Sequence, residues 1–250
     1  MVLPRPIVFG NWKMHGLRAE SQALAGALAE RAGRLSATLA VFPPFTVLGD
    51  VAAQLAGTGI GIGGQDCHEQ AKGAFTGSIS APMLQDVGAT SVIVGHSERR
   101  HGLSESDARL KAKAEAGLAA GLLVVLCIGE TETQWLAGQT LEVLDAQLTG
   151  SWPDGGTAER VVVAYEPVWA VGTGRTPALA DIERSHAAIR HRLERLADDG
   201  AQVAILYGGS VKADNAAEIM AVPGVAGVLV GGASLDAESF WSIYQAGGGD

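Results

Sequence analysis

The 250-residue sequence predicts an α/β protein that forms one (β/α)8 barrel of parallel strands. Short apolar runs alternate with longer amphipathic stretches along the whole chain, which is the pattern of repeated strand and helix units. The length is that of a typical barrel of this kind, about 250 residues. No Pro/Ser linker or change in composition divides the sequence, so we expect residues 1–250 to form a single domain.

The composition agrees with a compact fold. Hydrophobic residues make up 47% of the chain and charged residues 18%, which excludes a disordered protein. The net charge of −9 opposes broad attraction to nucleic acid or to anionic lipid, so neither is expected as a partner. A local basic pocket for a small phosphate is compatible with that charge.

Two features indicate a cytoplasmic protein. Two cysteines, Cys67 and Cys127, are too few for a disulfide framework, which favours a reducing compartment. The first residues lack the pattern of a secretory signal. The longest apolar stretch, residues 116–128, is shorter than the roughly 20 residues of a membrane span, so no segment is expected to cross a membrane.

Eight short apolar runs are the predicted strands. Several, such as Val161 to Ala164, are almost wholly apolar, as in strands of a parallel sheet covered by helices. The predicted strands cover residues 7–12, 38–42, 60–65, 91–95, 122–128, 161–166, 203–207 and 227–230.

Two of the intervening helices have specific signals. The helix after Arg175 has an apolar stripe, on which we expect His186 to pack in the core. The stripe consists of Ile182, His186, Ile189, Leu193 and Leu196. A second helix is predicted to begin at Ser104, with Ser104 and Asp107 as a capping-box-like pair. Its solvent-exposed face is predicted to carry Glu105, Arg109 and Lys113.

Candidate functional residues follow the predicted strands, where the loops of a barrel build its active face. Glu166 ends the sixth strand, and partial desolvation there would raise its pKa and strengthen it as a base. The alternative is a solvated loop carboxylate. His96 follows the fourth strand before a short predicted helix, whose N-terminus would keep the imidazole neutral. The alternative is a structural histidine.

The first strand also ends in polar residues. Asn11 and Lys13 point to the same side by strand alternation, which in a barrel can be the interior mouth. Lys13 could equally be a solvated surface lysine.

Glycine-rich segments follow three strands. Residues 167–174 combine glycine with Val and Trp, which suits either a mobile lid or an ordinary surface loop. The turns at 208–210 and 231–234 could offer backbone N–H groups to an anion, or could simply be turns. Their position after the seventh and eighth strands favours phosphate binding.

Three other signals are weaker. Residues 59–64 have the spacing G-x-G-x-x-G but lie within a predicted strand with no helix after it, which disfavours a dinucleotide site. Cys67 and His68 have no second pair at metal-ligand spacing, so no metal is predicted. Cys127 is expected to be a buried small hydrophobe.

Six motifs together closely resemble the triosephosphate isomerase family and its TIM barrel. They occur in the family's order and span nearly the whole chain. They are GNWKM (10–14), GAFTG (73–77), GHSERR (95–100), AYEPVWA (164–170), YGGS (207–210) and LVGG (229–232).

The resemblance implies interconversion of dihydroxyacetone phosphate and glyceraldehyde 3-phosphate, a step of glycolysis and gluconeogenesis, without metal or organic cofactor. It implies that Glu166 is the base, that neutral His96 polarises the carbonyl, and that Lys13 supplies positive charge, with Glu98 as its partner. Asn11 would orient substrate oxygens. The resemblance also implies a phosphate site made by Gly172, Ser210, Gly231 and Gly232, and a lid from about Val168 to Thr176.

The resemblance further implies a homodimer. The loop from Gln65 to Ser80 would project into a neighbouring subunit, with Phe75 buried at the interface and Thr76 near the partner's active site. The alternative is a flexible surface loop. His15 and Arg175 depart from residues common in the family. Two other functions stay open: another sugar-phosphate enzyme on a related barrel, or a noncatalytic phosphate-binding scaffold.

Overall fold

A computed structural model describes residues 3–33, 35–172 and 174–249. The strands are β1 (Ile7–Asn11), β2 (Thr38–Phe42), β3 (Gly61–Gly64), β4 (Ser91–Val94), β5 (Leu123–Ile128), β6 (Val161–Tyr165), β7 (Ala204–Tyr207) and β8 (Gly227–Val230). The helices in these ranges are α1 (Arg18–Arg31), α2 (Leu48–Leu55), α3 (Ala81–Asp86), α4 (Ser97–Gly102), α5 (Asp107–Ala119), α6 (Glu132–Leu136), α7 (Thr140–Ser151), α8 (Leu179–Leu196), α9 (Ala216–Met220) and α10 (Ala237–Ala246). Short 3₁₀ helices cover Val168–Ala170, Gly200–Gln202 and Gly232–Leu235.

The eight strands form one closed parallel barrel in chain order. β1 closes it by pairing with β2 on one side, Ile7 opposite Thr38, and with β8 on the other, Ile7 opposite Gly227. This confirms the predicted (β/α)8 barrel and all eight predicted strands. Closure also leaves no exposed sheet edge.

Alternate side chains of the strands point to opposite sides of the barrel wall. Ile7 and Phe9 of β1 belong to the cluster that fills the interior, whereas Val8 packs in the outer cluster beneath the helices. Asn11 continues the inward series to the end of β1 and is buried. The alternation therefore delivers Asn11 to the mouth of the barrel, as predicted.

Close packing explains the glycines of β3. A Cβ atom at Gly63 would lie 2.1 Å from Cε1 of Phe42, and one at Gly64 would lie 2.6 Å from Cδ1 of Leu84. The run that resembles a dinucleotide motif is thus a strand in which glycine admits neighbouring core side chains.

The predicted beginning of the fifth helix is wrong. α5 begins at Asp107 with Ser106 as its N-cap, and the Ser106 hydroxyl accepts the N–H of Arg109. Ser104 instead has a left-handed backbone with φ of 53°. Both serines can cap a helix, and only the backbone of the preceding loop decides between them.

The predicted solvent face of α5 is also wrong at two positions. Arg109 is exposed, but Glu105, just before the helix, is buried and Lys113 is only 1% exposed. Nζ of Lys113 donates to Oδ2 of Asp66 at 2.8 Å and to Oε1 of Glu105 at 2.6 Å. A buried ion cluster replaces the expected solvated side chains because Asp66, 47 residues away, supplies the opposite charge.

Two other core predictions are confirmed. His186 lies fully buried on α8 beside Ile182 and Ile189, and Cys127 is fully buried in β5. Burial holds the pKa of the Cys127 thiol well above its ordinary value. Among the described helices, none has the length and apolar character required to cross a membrane.

Candidate active site

The predicted site residues meet at the carboxyl-terminal end of the barrel. A cavity of about 600 Å³ opens there, a size typical of small-molecule sites. The predicted residues that line it are Asn11, Lys13, His96, Glu166, Gly172, Ser210, Gly231 and Gly232. Glu98 does not line this cavity but contacts Lys13 at its edge. A carboxylate, an imidazole and an ammonium group therefore surround one space.

Glu166 follows β6 and is only 1% exposed. Its Oε1 atom lies 2.8 Å from Nε2 of His96, and its Oε2 atom accepts the backbone N–H of Ser97 at 2.9 Å. Gly208 makes room for this side chain, since a Cβ at position 208 would lie 3.0 Å from Cγ of Glu166. Both carboxylate oxygens thus have partners from the start of α4.

His96 is the N-cap of α4. Its Nδ1 atom accepts the backbone N–H of Glu98 at 3.3 Å, which assigns the proton of a neutral ring to Nε2. Nε2–H then points at Glu166. The tautomer suits a group that donates a hydrogen bond to a substrate oxygen once Glu166 has moved away.

His96 and Glu166 each change the pKa of the other. Burial alone raises the pKa of Glu166, but His96 and the hydrogen bonds from His96 and Ser97 outweigh it and hold that pKa below its ordinary value. Burial lowers the pKa of His96, but the Glu166 carboxylate outweighs this and raises it. The expected net increase in the pKa of Glu166 is therefore wrong in this arrangement, because a specific contact outweighs desolvation. The same contact reverses the direction expected for His96, because the Glu166 carboxylate raises its pKa whereas the N-terminus of α4 alone would lower it.

Lys13 follows β1 in a strained backbone conformation. Its φ is 53°, a left-handed value that lysine rarely adopts. The side chain of Asn11 accepts the N–H of Lys13 at 3.0 Å, and Nε2 of Gln65 donates to the carbonyl of Lys13 at 2.7 Å. These two contacts fix the strained residue, which is a common feature of functional sites.

Glu98 lies against the same ammonium group. Nζ of Lys13 donates to Oε1 of Glu98 at 2.6 Å. The structure therefore brings together the two residues that the resemblance paired.

The two glycine turns border the other side of the cavity. A Cβ at Gly209 would lie 2.1 Å from the hydroxyl oxygen of Tyr207, so only glycine fits that turn. Gly231 is the N-cap of the 3₁₀ helix after β8, and Gly232 is the first residue of that helix. The Ser210 hydroxyl donates to the carbonyl of Ala170 at 2.6 Å, so it contacts the predicted lid in this structure.

The predicted lid is partly helical. Val168–Ala170, which precedes the glycines of the segment, forms a 3₁₀ turn. Val171, Gly172 and Gly174 line the cavity, and Gly172 has a left-handed φ of 70°. Thr173, also in the predicted lid, lies outside the described residues.

Three residues that the sequence patterns did not single out also contribute to the site. The side chain of Gln65 donates to the carbonyl of Lys13, and the backbone N–H of Ser97 donates to Glu166. The carboxylate of Glu130 accepts a hydrogen bond from Trp169. Ser97 and Glu130 follow predicted strands and Gln65 is the last residue of one, which was the available signal. Their partners lie elsewhere in the sequence, so their roles required the structure.

The loop from Gln65 to Ser80 extends beyond β3. The ring of His68 packs on that of Phe75 with centroids 4.0 Å apart, yet Phe75 remains 42% exposed and Thr76 is exposed. No group of three His, Cys, Asp or Glu side chains with metal-site geometry occurs among residues 3–33, 35–172 and 174–249.

Comparisons with known proteins agree with this geometry. The family model described as triosephosphate isomerase matches residues 6–247. The chain is 53% identical over 245 residues to triosephosphate isomerase of Xanthobacter flavus, covering 98% of each chain. It is also 53% identical over 245 residues to that of Bradyrhizobium diazoefficiens, covering 96% of this chain and 97% of the relative.

A solved structure is similar over the same extent. The crystal structure of triosephosphate isomerase from Bartonella henselae superposes with a TM-score of 0.90 at 44% identity, covering 97% of this chain and 98% of the other. The family match, these relatives and the closed barrel confirm the resemblance seen in the motifs. The chain therefore belongs to the triosephosphate isomerase family.

Proposed function

We propose that this protein interconverts dihydroxyacetone phosphate and D-glyceraldehyde 3-phosphate through an enediolate. The observation that carries the proposal is the contact between Glu166 and His96 at the edge of a cavity that Lys13 also lines. The division of roles described below is the known one for triosephosphate isomerases. The reaction is an internal proton transfer and requires no oxidant or organic cofactor.

Glu166 is the proposed base. Its carboxylate removes the proton from C1 of dihydroxyacetone phosphate, and the C–H electrons form the double bond between C1 and C2. The carbonyl electrons move to the oxygen on C2. After a proton has moved between the two oxygens, Glu166 returns its proton to C2 and gives the aldehyde.

His96 and Lys13 would stabilise the negative charge that develops on oxygen. Nε2–H of His96 donates to the substrate oxygens and shuttles a proton between them. Lys13 supplies a positive charge near the enediolate and the phosphate. Asn11 orients the substrate oxygens, and Glu98 positions the ammonium group of Lys13.

The phosphate group would bind at the glycine turns. Gly172, Gly231 and Gly232 would offer backbone N–H groups, and Ser210 would offer its hydroxyl. The hydroxyl of Ser210 must then release the carbonyl of Ala170. Phosphate binding and movement of the lid are therefore coupled in this proposal.

The segment from about Val168 to Thr176 would close over the bound substrate. The cavity of about 600 Å³ is larger than a three-carbon phosphate ester fills, which leaves room for closure. Closure would exclude water, strengthen the charge interactions and hinder loss of phosphate from the enediolate.

A homodimer formed through the loop from Gln65 to Ser80 is part of the proposal. Phe75 is an exposed aromatic side chain that an interface would cover, and Thr76 would then approach the partner's active site. Light scattering is expected to give twice the mass of the chain. A monomer mass that does not change with concentration would contradict it.

We further propose a cytoplasmic location and no nucleic acid or membrane partner. The two cysteines are free and buried, as expected for a chain that needs no oxidising compartment. The net charge of −9 disfavours nucleic acid and anionic lipid.

The activity is tested with purified protein in a coupled assay for both triose phosphates. The wild type should isomerise them, and Glu166→Gln should lower kcat by at least 100-fold, while Glu183→Gln on the exposed face of α8 should not. Turnover of a longer sugar phosphate alone would indicate a different enzyme. Phosphate binding without any turnover would indicate a scaffold.

A further inference from the structure

The two ends of the proposed lid pack against one short helix, α6. The rings of Trp135 on α6 and Trp169 in the lid stack with centroids 4.3 Å apart and an interplanar angle of 23°. At the other end, the guanidinium carbon of Arg175 lies 5.0 Å from the Trp169 centroid and 5.8 Å from that of Trp135. Nη1 of Arg175 donates to Oε1 of Glu132 at 2.6 Å. One helix therefore contacts the lid both before and after its glycines.

These contacts lie outside the reaction cavity. Val171, Gly172 and Gly174 line the cavity, whereas Glu132, Trp135, Trp169 and Arg175 do not. The middle of the segment thus borders the substrate space while its ends are held away from it. A movement of the segment toward the phosphate would have to alter the stacking on α6.

The geometry of α6 is well defined despite its length of five residues. The Thr131 hydroxyl accepts the N–H of Gln134, and the Gln134 side chain accepts the N–H of Thr131 at 2.9 Å. This capping box fixes the beginning of the helix and with it the position of Trp135. Trp169 is fixed independently, because its Nε1 donates to Oε1 of buried Glu130 at 3.0 Å.

We propose that Trp135 and Glu132 are positioning residues that hold the lid away from the substrate. In the observed arrangement the carbonyl of Ala170 holds the Ser210 hydroxyl away from the phosphate position, so this is the open state. The contacts of Trp135 and Glu132 with Trp169 and Arg175 stabilise it and so set the fraction of closed lid. The inference rests on the proposed function, specifically on lid closure over the phosphate. It assigns the control of substrate affinity and product release to a helix outside the cavity.

The consequence for binding follows from the population of the lid states. If the closed state is the minor state without ligand, weakening the open state raises the apparent affinity for any ligand that requires closure by the same factor. An aromatic stack with a cation over it is strong enough to change that population about threefold to tenfold. Slower reopening would also delay product release.

The test compares Trp135→Ala, Trp135→Tyr and Glu132→Gln with the wild type. The probe is 2-phosphoglycolate, whose phosphate and planar carboxylate mimic the enediolate phosphate. For Trp135→Ala we expect the inhibition constant to fall about threefold to tenfold, with KM and kcat both lower. Trp135→Tyr should restore values near those of the wild type, and Glu132→Gln should shift them about twofold in the same direction as Trp135→Ala.

Trp241→Ala is the matched control. Trp241 also packs on an aromatic ring, that of Tyr244 on α10, with centroids 4.9 Å apart and an interplanar angle of 35°, and it does not line the cavity. Its removal should leave the inhibition constant unchanged. A merely structural role for Trp135 would lower thermal stability without tightening the binding of 2-phosphoglycolate.

The outcomes separate this inference from the proposed function. Absence of turnover in the wild type would overturn the proposed function. Normal turnover in the wild type with an unchanged or higher inhibition constant in Trp135→Ala would overturn the inference alone. If Trp135→Ala does not fold, Glu132→Gln decides, since that side chain is 53% exposed and its substitution does not disturb the core.

Discussion

The Nε2 atom of His96 lies 2.8 Å from Oε1 of Glu166, and neither side chain is more than 7% exposed. Each residue changes the ionisation of the other, with the imidazole lowering the pKa of the carboxyl group and the carboxylate raising that of the ring. The pair titrates as a unit, so pH profiles report on both residues.

The first prediction is a change in pH dependence when His96 is removed. Glu166 must be ionised to act as a base, and its contact with His96 holds its pKa below the ordinary value. In His96→Gln, burial of Glu166 is no longer offset by the imidazole. The ionisation of Glu166 in the acid limb of kcat/KM should then move to higher pH, with kcat lowered about 100-fold or more.

This experiment must separate the enzyme from its substrate. The phosphate group of the substrate also titrates, near pH 6, so rates are plotted against the concentration of the dianion. Rate profiles of the wild type and His96→Gln with the same acid limb would show that the contact does not control the base.

The second prediction distinguishes the charge of Lys13 from its backbone. Lys13→Met should raise KM about tenfold or more, because the cavity loses a cation beside the phosphate and enediolate. Lys13→Gly loses the same charge but adopts the φ of 53° without strain. Both variants should therefore lose activity similarly, as measured by kcat and KM for glyceraldehyde 3-phosphate. Substantial activity in Lys13→Gly alone would assign the role to the backbone.

Most of the fold was predictable from local sequence patterns. The strands are short, almost wholly apolar runs, and their closure into a barrel follows from repetition of one unit. The beginning of α5 was not predictable because Ser104 and Ser106 are both capable caps. Lys113 has helical spacing typical of a solvent-exposed face, and its burial depends on Asp66 in a distant loop.

The candidate site likewise combines features that local sequence patterns predict with features that depend on contacts made by the fold. Lys13, His96 and Glu166 each follow a strand, so barrel geometry places them together without further information. The support for Lys13 from Gln65 spans 52 residues, and that for Glu166 from Ser97 spans 69. The pKa of Glu166 has the opposite direction to that expected because the contact with His96 outweighs burial. Such effects depend on distances that a linear pattern does not contain.

The third prediction concerns the buried charge of Lys113. Asp66 and Glu105 both accept hydrogen bonds from its ammonium group, and Arg99 lies 2.8 Å from both carboxylates. Lys113→Met leaves two carboxylates with one cation and should lower the free energy of unfolding by about 3–5 kcal/mol. Lys111→Met, on the same helix with an exposed ion pair to Asp154, should cost less than about 1 kcal/mol. Equal denaturant midpoints for the two variants would contradict the prediction.

The last prediction is that His186 makes the protein less stable in acid. The ring is fully buried, Nδ1 lies 3.3 Å from the carbonyl of Gly224, and burial lowers the pKa of His186 to about 4. In the unfolded chain that pKa is about 6.5, so protons bind the unfolded state more strongly. The stabilisation is complete above pH 6.5 and is lost as the pH falls toward 4, by roughly 3 kcal/mol in all.

At fixed protein concentration, the fall in Tm between pH 7 and pH 5 should be smaller for His186→Gln than for the wild type. His191→Gln, an exposed position on the same helix, should keep the wild-type difference. An undiminished pH dependence in His186→Gln would mean that other groups cause the acid sensitivity.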